Sequence, residues 1–378
     1  MADLLHIRRV SAFAFRYPIR NPVQTSFGTM RDRPAVFVEI EDTSGAVGWG
    51  EIWCNFPSVA AEHRCNIVAE VLRPLLQSRP FVTPREAFDF LTETTRVLAL
   101  QSGEAGPIAQ SIAGIDIALW DLFARKRGTA LWSLLGGQSG QIAVYASGIN
   151  PTSPIDVIER HQAHGHKTFK LKVGFSSDGD VNNIAAIRER FGRSIDLAVD
   201  ANQAWQLTTA QRMADRLRDF GLCWLEEPLR ADVAWEEWRA LSLTTEIPIA
   251  AGENIAGESA FRHAIESKAL GILQPDLAKW GGFSGCSPVS RSIRDAGLRF
   301  CPHFLGGGIG LVASAHLLAA AGGDGLLEID SNENPLRAIL AGPLSEIRDG
   351  HARLNGKPGL GFEPDLRSIQ QFCVLERA

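Results

Sequence analysis

Two lysines, Lys170 and Lys172, stand in the run K-T-F-K-L-K-V-G at 167–174. On a strand, residues i and i+2 share a face. Both ammonium groups therefore project together, while Phe169, Leu171 and Val173 point the other way. Two like charges on one face of a buried strand are costly unless anions meet them. The chain offers such anions at regular intervals: Asp200 in L-A-V-D-A-N, with Asn202 two residues on, Glu226 in W-L-E-E-P and Glu253 in G-E-N. Three carboxylates gathered at neighbouring strand ends repel one another unless a hard cation joins them, and an oxygen-only donor set suits Mg2+. Only one glutamate of the E-E pair can face inward. Glu226 is read as the ligand and Glu227 as turned outward into an ion pair. Lys172 then lies in a dry, cation-rich site where its charged form is disfavoured, as a general base requires. His303, with Asp276 able to orient its imidazole, supplies a second acid–base group across the site. A metal between two acid–base groups fits removal of a weakly acidic proton next to a carboxylate, with Mg2+ holding the enolate dianion.

These residues need a scaffold that brings distant stretches together. After Gly136-Gly137, short β-rich runs near 145, 171, 198, 225, 251, 274, 301 and 328 alternate with helical stretches at a spacing of roughly 25 residues. That spacing suits βα units and a parallel sheet, and eight units predict a closed (β/α)8 barrel of the TIM type. A doubly wound open sheet is the alternative, but no G-x-G-x-x-G turn follows an early strand. In such a barrel the C-terminal strand ends carry the chemistry. Strands 2 to 8 then contribute Lys170 and Lys172, Asp200, Glu226, Glu253, Asp276, His303 and Glu328. A strand-end acid on its own can simply cap the next helix. Capping does not account for three consecutive acids beside a lysine pair.

Upstream, residues 1–130 read as an α+β domain: alternating strands to about residue 50, then amphipathic helices from about Ala60 to Leu135. Val23–Arg33 and Trp53–Pro57 read as irregular segments, the first as a mobile loop. The barrel is placed at 131–357, and 358–378 as a return onto the first domain. The chain is an α/β protein with an N-terminal α+β cap that the C-terminal tail completes.

Composition sets the class. With 45% hydrophobic and 21% charged residues and a net charge of −5, the chain reads as an ordinary globular protein without the field that draws nucleic acid or anionic membrane. No continuous apolar N-terminal segment or membrane span is apparent. Six scattered cysteines without a C-x-x-C pair suit reduced thiols and a cytoplasmic location. His161, His164 and His166 read as solvated surface, and Trp120, Trp235 and Trp238 as packing or subunit contacts.

The set K-L-K at 170–172, D-A-N at 200–202, W-L-E-E-P at 224–228, G-E-N at 252–254, P-D-L-A-K-W-G-G at 275–282 and P-H-F at 302–304 resembles the mandelate racemase group of the enolase superfamily across nearly the whole chain. The resemblance implies Asp200, Glu226 and Glu253 as Mg2+ ligands, Lys172 as one base and a His303–Asp276 dyad as the other. It further implies Lys170 and Asn202 as substrate contacts, with Lys170 against the substrate carboxylate, and Glu328 as a hydrogen-bond donor to that group. Lys279 matches a lysine that serves as the opposite base in the muconate cycloisomerase group, but Asp276 and His303 argue against that type. Substrate choice is expected from the cap, where Thr25, Ser26, Arg31, Trp53 and Asn55 are the candidates. The partner is a small carboxylate, a sugar acid or hydroxy acid, and the protein is expected to be a homo-oligomer, often an octamer in similar proteins. A β-hydroxyl on the substrate leads to dehydration, the favoured outcome. Its absence leads to racemisation or epimerisation. A non-catalytic binding barrel is the remaining reading, and it conflicts with the retention of Lys172, His303 and all three acids.

Overall fold

The computed structural model of the chain describes residues 4–24 and 28–378. Strands β1 (Ile7–Gln24), β2 (Thr29–Asp42) and β3 (Val47–Ile52) form an antiparallel sheet in the order β13-β1-β2-β3. The tail closes it, because β13 (Cys373–Arg377) pairs antiparallel with β1. Helix Ala105–Lys126 lies so close on β3 that side chains are excluded at the contact. A Cβ added at Gly50 would sit 2.0 Å from the Gly114 carbonyl oxygen, and one at Gly48 2.2 Å from that of Ala118.

Eight parallel strands follow: β4 (Gln141–Ile149), β5 (Thr168–Lys172), β6 (Asp196–Asp200), β7 (Leu225–Glu226), β8 (Ile249–Ala251), β9 (Ile272–Leu273), β10 (Arg299–Phe300) and β11 (Leu326–Asp330). Their order, β10-β9-β8-β7-β6-β5-β4-β11, is a barrel, and β12 (His351–Arg353) adds antiparallel to the start of β4. The seam between β10 and β11 is closed by contact: the Leu326 amide donates to Cys301 Sγ at 3.4 Å, and Gly325 lies against the Phe300 carbonyl. Strand alternation sorts the side chains. Phe169, Leu171, Leu197, Val199 and Leu225 are buried outward against the helices, whereas Tyr145, Ala198, Trp224, Ala250, Ile272, Cys301 and Leu326 form a plug inside the barrel. Tyr145 meets Trp224 edge-on at 5.3 Å. Above this plug lies the polar layer.

Two expectations are corrected. Within Val23–Arg33, the described residues at both ends belong to strands rather than to a loop: Val23 pairs with Met30 and Gln24 with Thr29 at the far end of β1 and β2. A register shift between Pro18 and Val23 interrupts the alternation that marks strands in a sequence, while main-chain pairing resumes beyond it. Thr25 and Ser26 lie outside the described residues. Second, His166 is buried rather than solvated, and burial lowers its imidazole to about 4. All six cysteines are free thiols. Among the described residues no helix is long and apolar enough to cross a membrane.

Buried charge fastens the cap to the barrel. Arg33 on β2 donates to Asp330 Oδ2 at the end of β11, at 2.7 Å, and to the Glu333 carbonyl at 3.1 Å. Arg337 stands 3.2 Å from the same carboxylate. Burial opposes the Asp330 charge, but Arg33 and Arg337 outweigh it and hold the carboxyl at about 2. A group held below its unfolded value stabilises fully above about pH 4, and the gain is lost as pH falls toward 2. Arg33→Met is therefore expected to cost roughly 3 kcal/mol at pH 7, with Arg337 still covering Asp330. The gap to the wild type should narrow below pH 4. Chemical melts at pH 7 and pH 3.5 check this, and a gap independent of pH would refute it.

Candidate active site

The polar layer begins with Lys170, fully enclosed on β5. Its Nζ lies 2.5 Å from Glu226 Oε1, 2.9 Å from Glu328 Oε1 and 3.8 Å from Asp200 Oδ2. Burial works against the ammonium charge, but Glu226 and Glu328 prevail and hold it well above the usual lysine value. Glu226 is held further by Trp224 Nε1 at 2.9 Å and Gln274 Nε2 at 2.6 Å. Glu328 accepts from Ser147 Oγ, and from the Phe304 amide at 3.1 Å. Against burial, Lys170 and His303 keep its carboxyl below the usual range. In this structure Glu328 braces Lys170 and the β10 end.

The remaining acids gather above. β6 and β7 align Asp200 beside Glu226. The Asp200 carboxyl is raised to about 7 by burial, then by Glu226 and Glu253, with Lys170 opposing. Asn202 steadies it through its amide at 2.8 Å and its side chain at 2.9 Å. Glu253 is within 3.2 Å of both Lys279 Nζ and His303 Nε2; against burial, His303 and Lys279 lower it to about 2. Glu227 is a correction. It does not turn outward into an ion pair: the strand ends at Glu226, and a φ of 37° at Glu227 breaks the two-residue alternation. Its Oε1 accepts from Asn254 Nδ2 at 2.9 Å, and its buried Oε2 has no partner. Burial, then Glu253 and Asp200, push this carboxyl well above its usual value.

The two acid–base groups face one space. His303 Nδ1 donates to Asp276 Oδ2 at 2.7 Å, and Asp276 Oδ1 is fixed by the amides of Ala278 and Lys279 at 2.9 and 3.1 Å. Burial opposes the imidazolium, but Glu253, Glu328 and Asp276 raise it to about 10. Lys172 moves the other way: burial lowers it, aided by Arg33 and Lys170, with Asp330 and Asp200 opposing. Lys172 and His303 both line a cavity of about 270 Å³ together with Asp200, Glu253 and Lys279. The cap supplies its roof through Val23, Met30, Arg33, Trp53, Asn55 and Phe56. Lys170, Glu226, Asp276 and Glu328 do not line it and lie beneath or behind. Arg31 is exposed and stands apart. A hollow of about 700 Å³ at the opposite end of the barrel, around Gly136–Gly137 and Gly322–Gly323, holds none of these groups.

An all-carboxylate set in which Asp200 is strained by its neighbours and Glu227 keeps an unpartnered oxygen fits a hard divalent cation. Among the described residues no three of these groups form a preformed metal cage. Lys170 bridges Asp200 and Glu226, and Lys279 holds Glu253.

Residues 7–136 match the mandelate racemase / muconate lactonizing enzyme N-terminal domain, and residues 155–368 match the enolase C-terminal domain-like family. The chain belongs to the mandelate racemase/muconate lactonizing enzyme family of the enolase superfamily. A protein of that description from Bordetella bronchiseptica RB50, known as a crystal structure, is 53% identical, with a TM-score of 0.93 over 98% of this chain and 100% of its own. D-galactarolactone cycloisomerase of Agrobacterium fabrum is 30% identical over 97% of this chain and 99% of its own. A racemase from Streptomyces coelicolor with bound magnesium is 27% identical, with a TM-score of 0.88 over 97% of this chain and 100% of its own. Relatives of this superfamily chain are named as dehydratases, cycloisomerases and racemases. The chain is an enzyme of the superfamily, and abstraction of a proton α to a carboxylate is the chemistry its residues fit.

The sequence misplaced Glu227 and did not mark Gln274 and Ser147 within the site, or Arg33 with Asp330 at its rim. Glu227 is the second glutamate of W-L-E-E-P, and the proline that follows it was the available signal that the strand ends at Glu226. Arg33 and Asp330 are 297 positions apart, and nothing local marks them.

Proposed function

We propose that this enzyme dehydrates a small acid sugar or hydroxy acid, with Lys172 as the base toward the α-proton and His303 as the acid toward the leaving hydroxyl. The observation that carries the reading is that Lys172, its charge disfavoured, and His303, its charge favoured, line one cavity beside Asp200 and Glu253. Asp200, Glu226 and Glu253 are the residues to hold Mg2+, with Glu227 next to them. When bound, Mg2+ supplies the positive charge that stabilises the enolate oxygens of the carboxylate. Lys172, as the neutral amine, takes the α-proton. Lys170 adds positive charge from beneath, and Asn202 lies at the cavity wall for the substrate. His303, as the imidazolium held by Asp276, gives its proton to the β-oxygen as the C–O bond breaks, and water leaves with that electron pair. The enol product tautomerises to a 2-keto-3-deoxy acid.

Four carboxamides, Asn55, Asn202, Gln203 and Asn254, line the cavity beside Trp53 and Phe56. Amides donate and accept at once, which suits a polyhydroxylated substrate. An arabinonate dehydratase is among the relatives. Racemisation or epimerisation is the second reading, since His303 could instead return its proton to the α-carbon from the face opposite Lys172. Proton NMR in D2O decides: the protein and Mg2+ are incubated with a panel of sugar acids and simple 2-hydroxy acids. The expected result is a 2-keto-3-deoxy product from one sugar acid. Exchange of the α-proton without loss of water would make the enzyme a racemase or epimerase, and silence across the panel would refute dehydration of these acids. We propose further that the protein acts in the cytoplasm as a homo-oligomer, for which light scattering should give several times the 41.1 kDa chain mass.

A further inference from the structure

We propose that two carboxylates of the cap, Glu51 and Asp116, are positioning residues for the His303–Asp276 dyad. Each is buried and sits on the main chain that leaves one member of the dyad. From His303 the chain turns through Gly306-Gly307 into helix Gly308–Ala321. Glu51, from β3, accepts from the amide of Gly307 and, at 2.7 Å, from that of Gly310. Asn55 Nδ2 donates to the Leu305 carbonyl in the same turn at 2.6 Å. The glycines make this possible: a Cβ at Gly306 or at Gly307 would come within 2.8 Å of a Glu51 carboxylate oxygen. From Asp276 the chain turns into helix Gly282–Asp295. Asp116 Oδ2 accepts from the Ser284 amide at 2.9 Å and Oδ1 from the Ser284 hydroxyl at 2.6 Å, while the Trp53 amide donates to the Ala278 carbonyl at 3.3 Å. Burial raises the Glu51 carboxyl to about 8 and that of Asp116 to about 7, while these hydrogen bonds oppose the rise; each is a buried acceptor at a helix N-terminus, where the amides of the first turn need partners.

The end of β11 is held from the cap by a base, Arg33, whereas the turns after β5 and β7 close on partners within the barrel. After β5, the Gly174 amide donates to Asp180 Oδ2 at 2.8 Å and that of Val173 to the Asp200 carbonyl at 2.8 Å. Beyond β7, the Ala231 amide donates to Gln203 Oε1 at 2.8 Å. The cap thus grips, by its own acids, the two turns that set the direction and distance between the Asp276 carboxylate and the His303 imidazole. The cap's contribution to catalysis is then more than the shape of the roof.

Hydrogen exchange read by mass spectrometry on the whole protein tests this. Glu51→Ala should speed exchange of amides in 303–312 by roughly tenfold or more, and Asp116→Ala in 276–287, as loss of these buried hydrogen bonds implies. The 173–180 turn should exchange as in the wild type. Glu51→Gln and Asp116→Asn, which keep one acceptor oxygen, should fall between, and they carry the comparison if the alanine variants do not fold. Unchanged exchange in both dyad turns, or equal quickening of all turns, would overturn the inference. A catalytic arm rests on the second reading above, in which His303 exchanges a proton with the α-carbon from the face opposite Lys172: deuterium incorporation at C2 of D-gluconate and D-mannonate, epimers that present the proton to opposite faces. Glu51→Ala should depress the His303-dependent epimer at least roughly tenfold more than the other, a ratio that general destabilisation would leave alone. If His303→Asn leaves both epimers exchanging as before, the catalytic assignment fails, whereas the exchange of 303–312 still decides the positioning role.

Discussion

Replacing Lys172 by alanine is expected to lower kcat by roughly 10³- to 10⁴-fold, with little change in Mg2+ affinity or thermal stability. Lys172 lies at the end of β5, 5% exposed, on the wall of the cavity opposite the dyad. A lysine serves as a base only as the neutral amine, and burial, then Arg33 and Lys170, already move it in that direction. The rate should therefore rise with pH through a value below the ordinary lysine range of about 10.4. Lys172→Arg keeps the charge and removes the base, so it should be nearly as inactive as the alanine variant. Steady-state kinetics on the substrate found in the NMR panel give the test. A Lys172→Ala enzyme with more than about a tenth of wild-type kcat would remove Lys172 from the base role. His303→Asn should lose dehydration to a similar degree, yet still exchange the α-proton that Lys172 takes.

Chelation of the divalent cation is expected to abolish turnover altogether, because several carboxylates and a substrate carboxylate cannot share this space uncompensated. The Asp200 carboxyl illustrates the stress. Burial and the neighbouring Glu226 and Glu253 hold its folded value near 7 without metal. An unfolded aspartate releases its proton near 4. The folded state thus binds the extra proton between about pH 4 and pH 7, and stability from this group is lost as pH rises through that window. Mg2+ removes the repulsion and binds the folded state alone, so its stabilising effect should be larger at pH 8 than at pH 5. Thermal melts with and without Mg2+ at both values provide the measurement, and equal shifts would count against metal binding by Asp200. Calorimetry separates the paired glutamates. Glu226→Gln should weaken Mg2+ by roughly 100-fold or more, and Glu227→Gln by roughly tenfold, as for a group next to the ligands. The reverse order would exchange their roles.

Local rules carried a long way here. Lys170 and Lys172 face inward and Phe169 and Leu171 outward because a five-residue strand obeys its two-residue period. Eight runs at a steady spacing led to β4–β11, and acids at strand ends led to one polar layer. The same rules failed where the local conformation changed. Glu227 follows the last strand residue and takes a positive φ, so parity assigned it to the wrong side. The β1–β2 ribbon is held by main-chain pairing past a register shift, which leaves no side-chain pattern to read. His166 follows a helix that reads as polar surface, and only packing buries it.

What the chain determines by itself is the inventory of chemistry and the strand each group rides on, since spacing and alternation are properties of neighbours in sequence. What the tertiary structure decided is which of those groups meet the cavity and which stand beneath it. Lys170 and Glu328 went below as a buried ion pair, 2.9 Å apart, while Lys172 and His303 reached the surface of the cavity. It also decided that Glu51 and Asp116 reach the turns after His303 and Asp276 across 256 and 168 positions of chain. Contacts at that separation depend on how whole layers pack, and no local propensity encodes them.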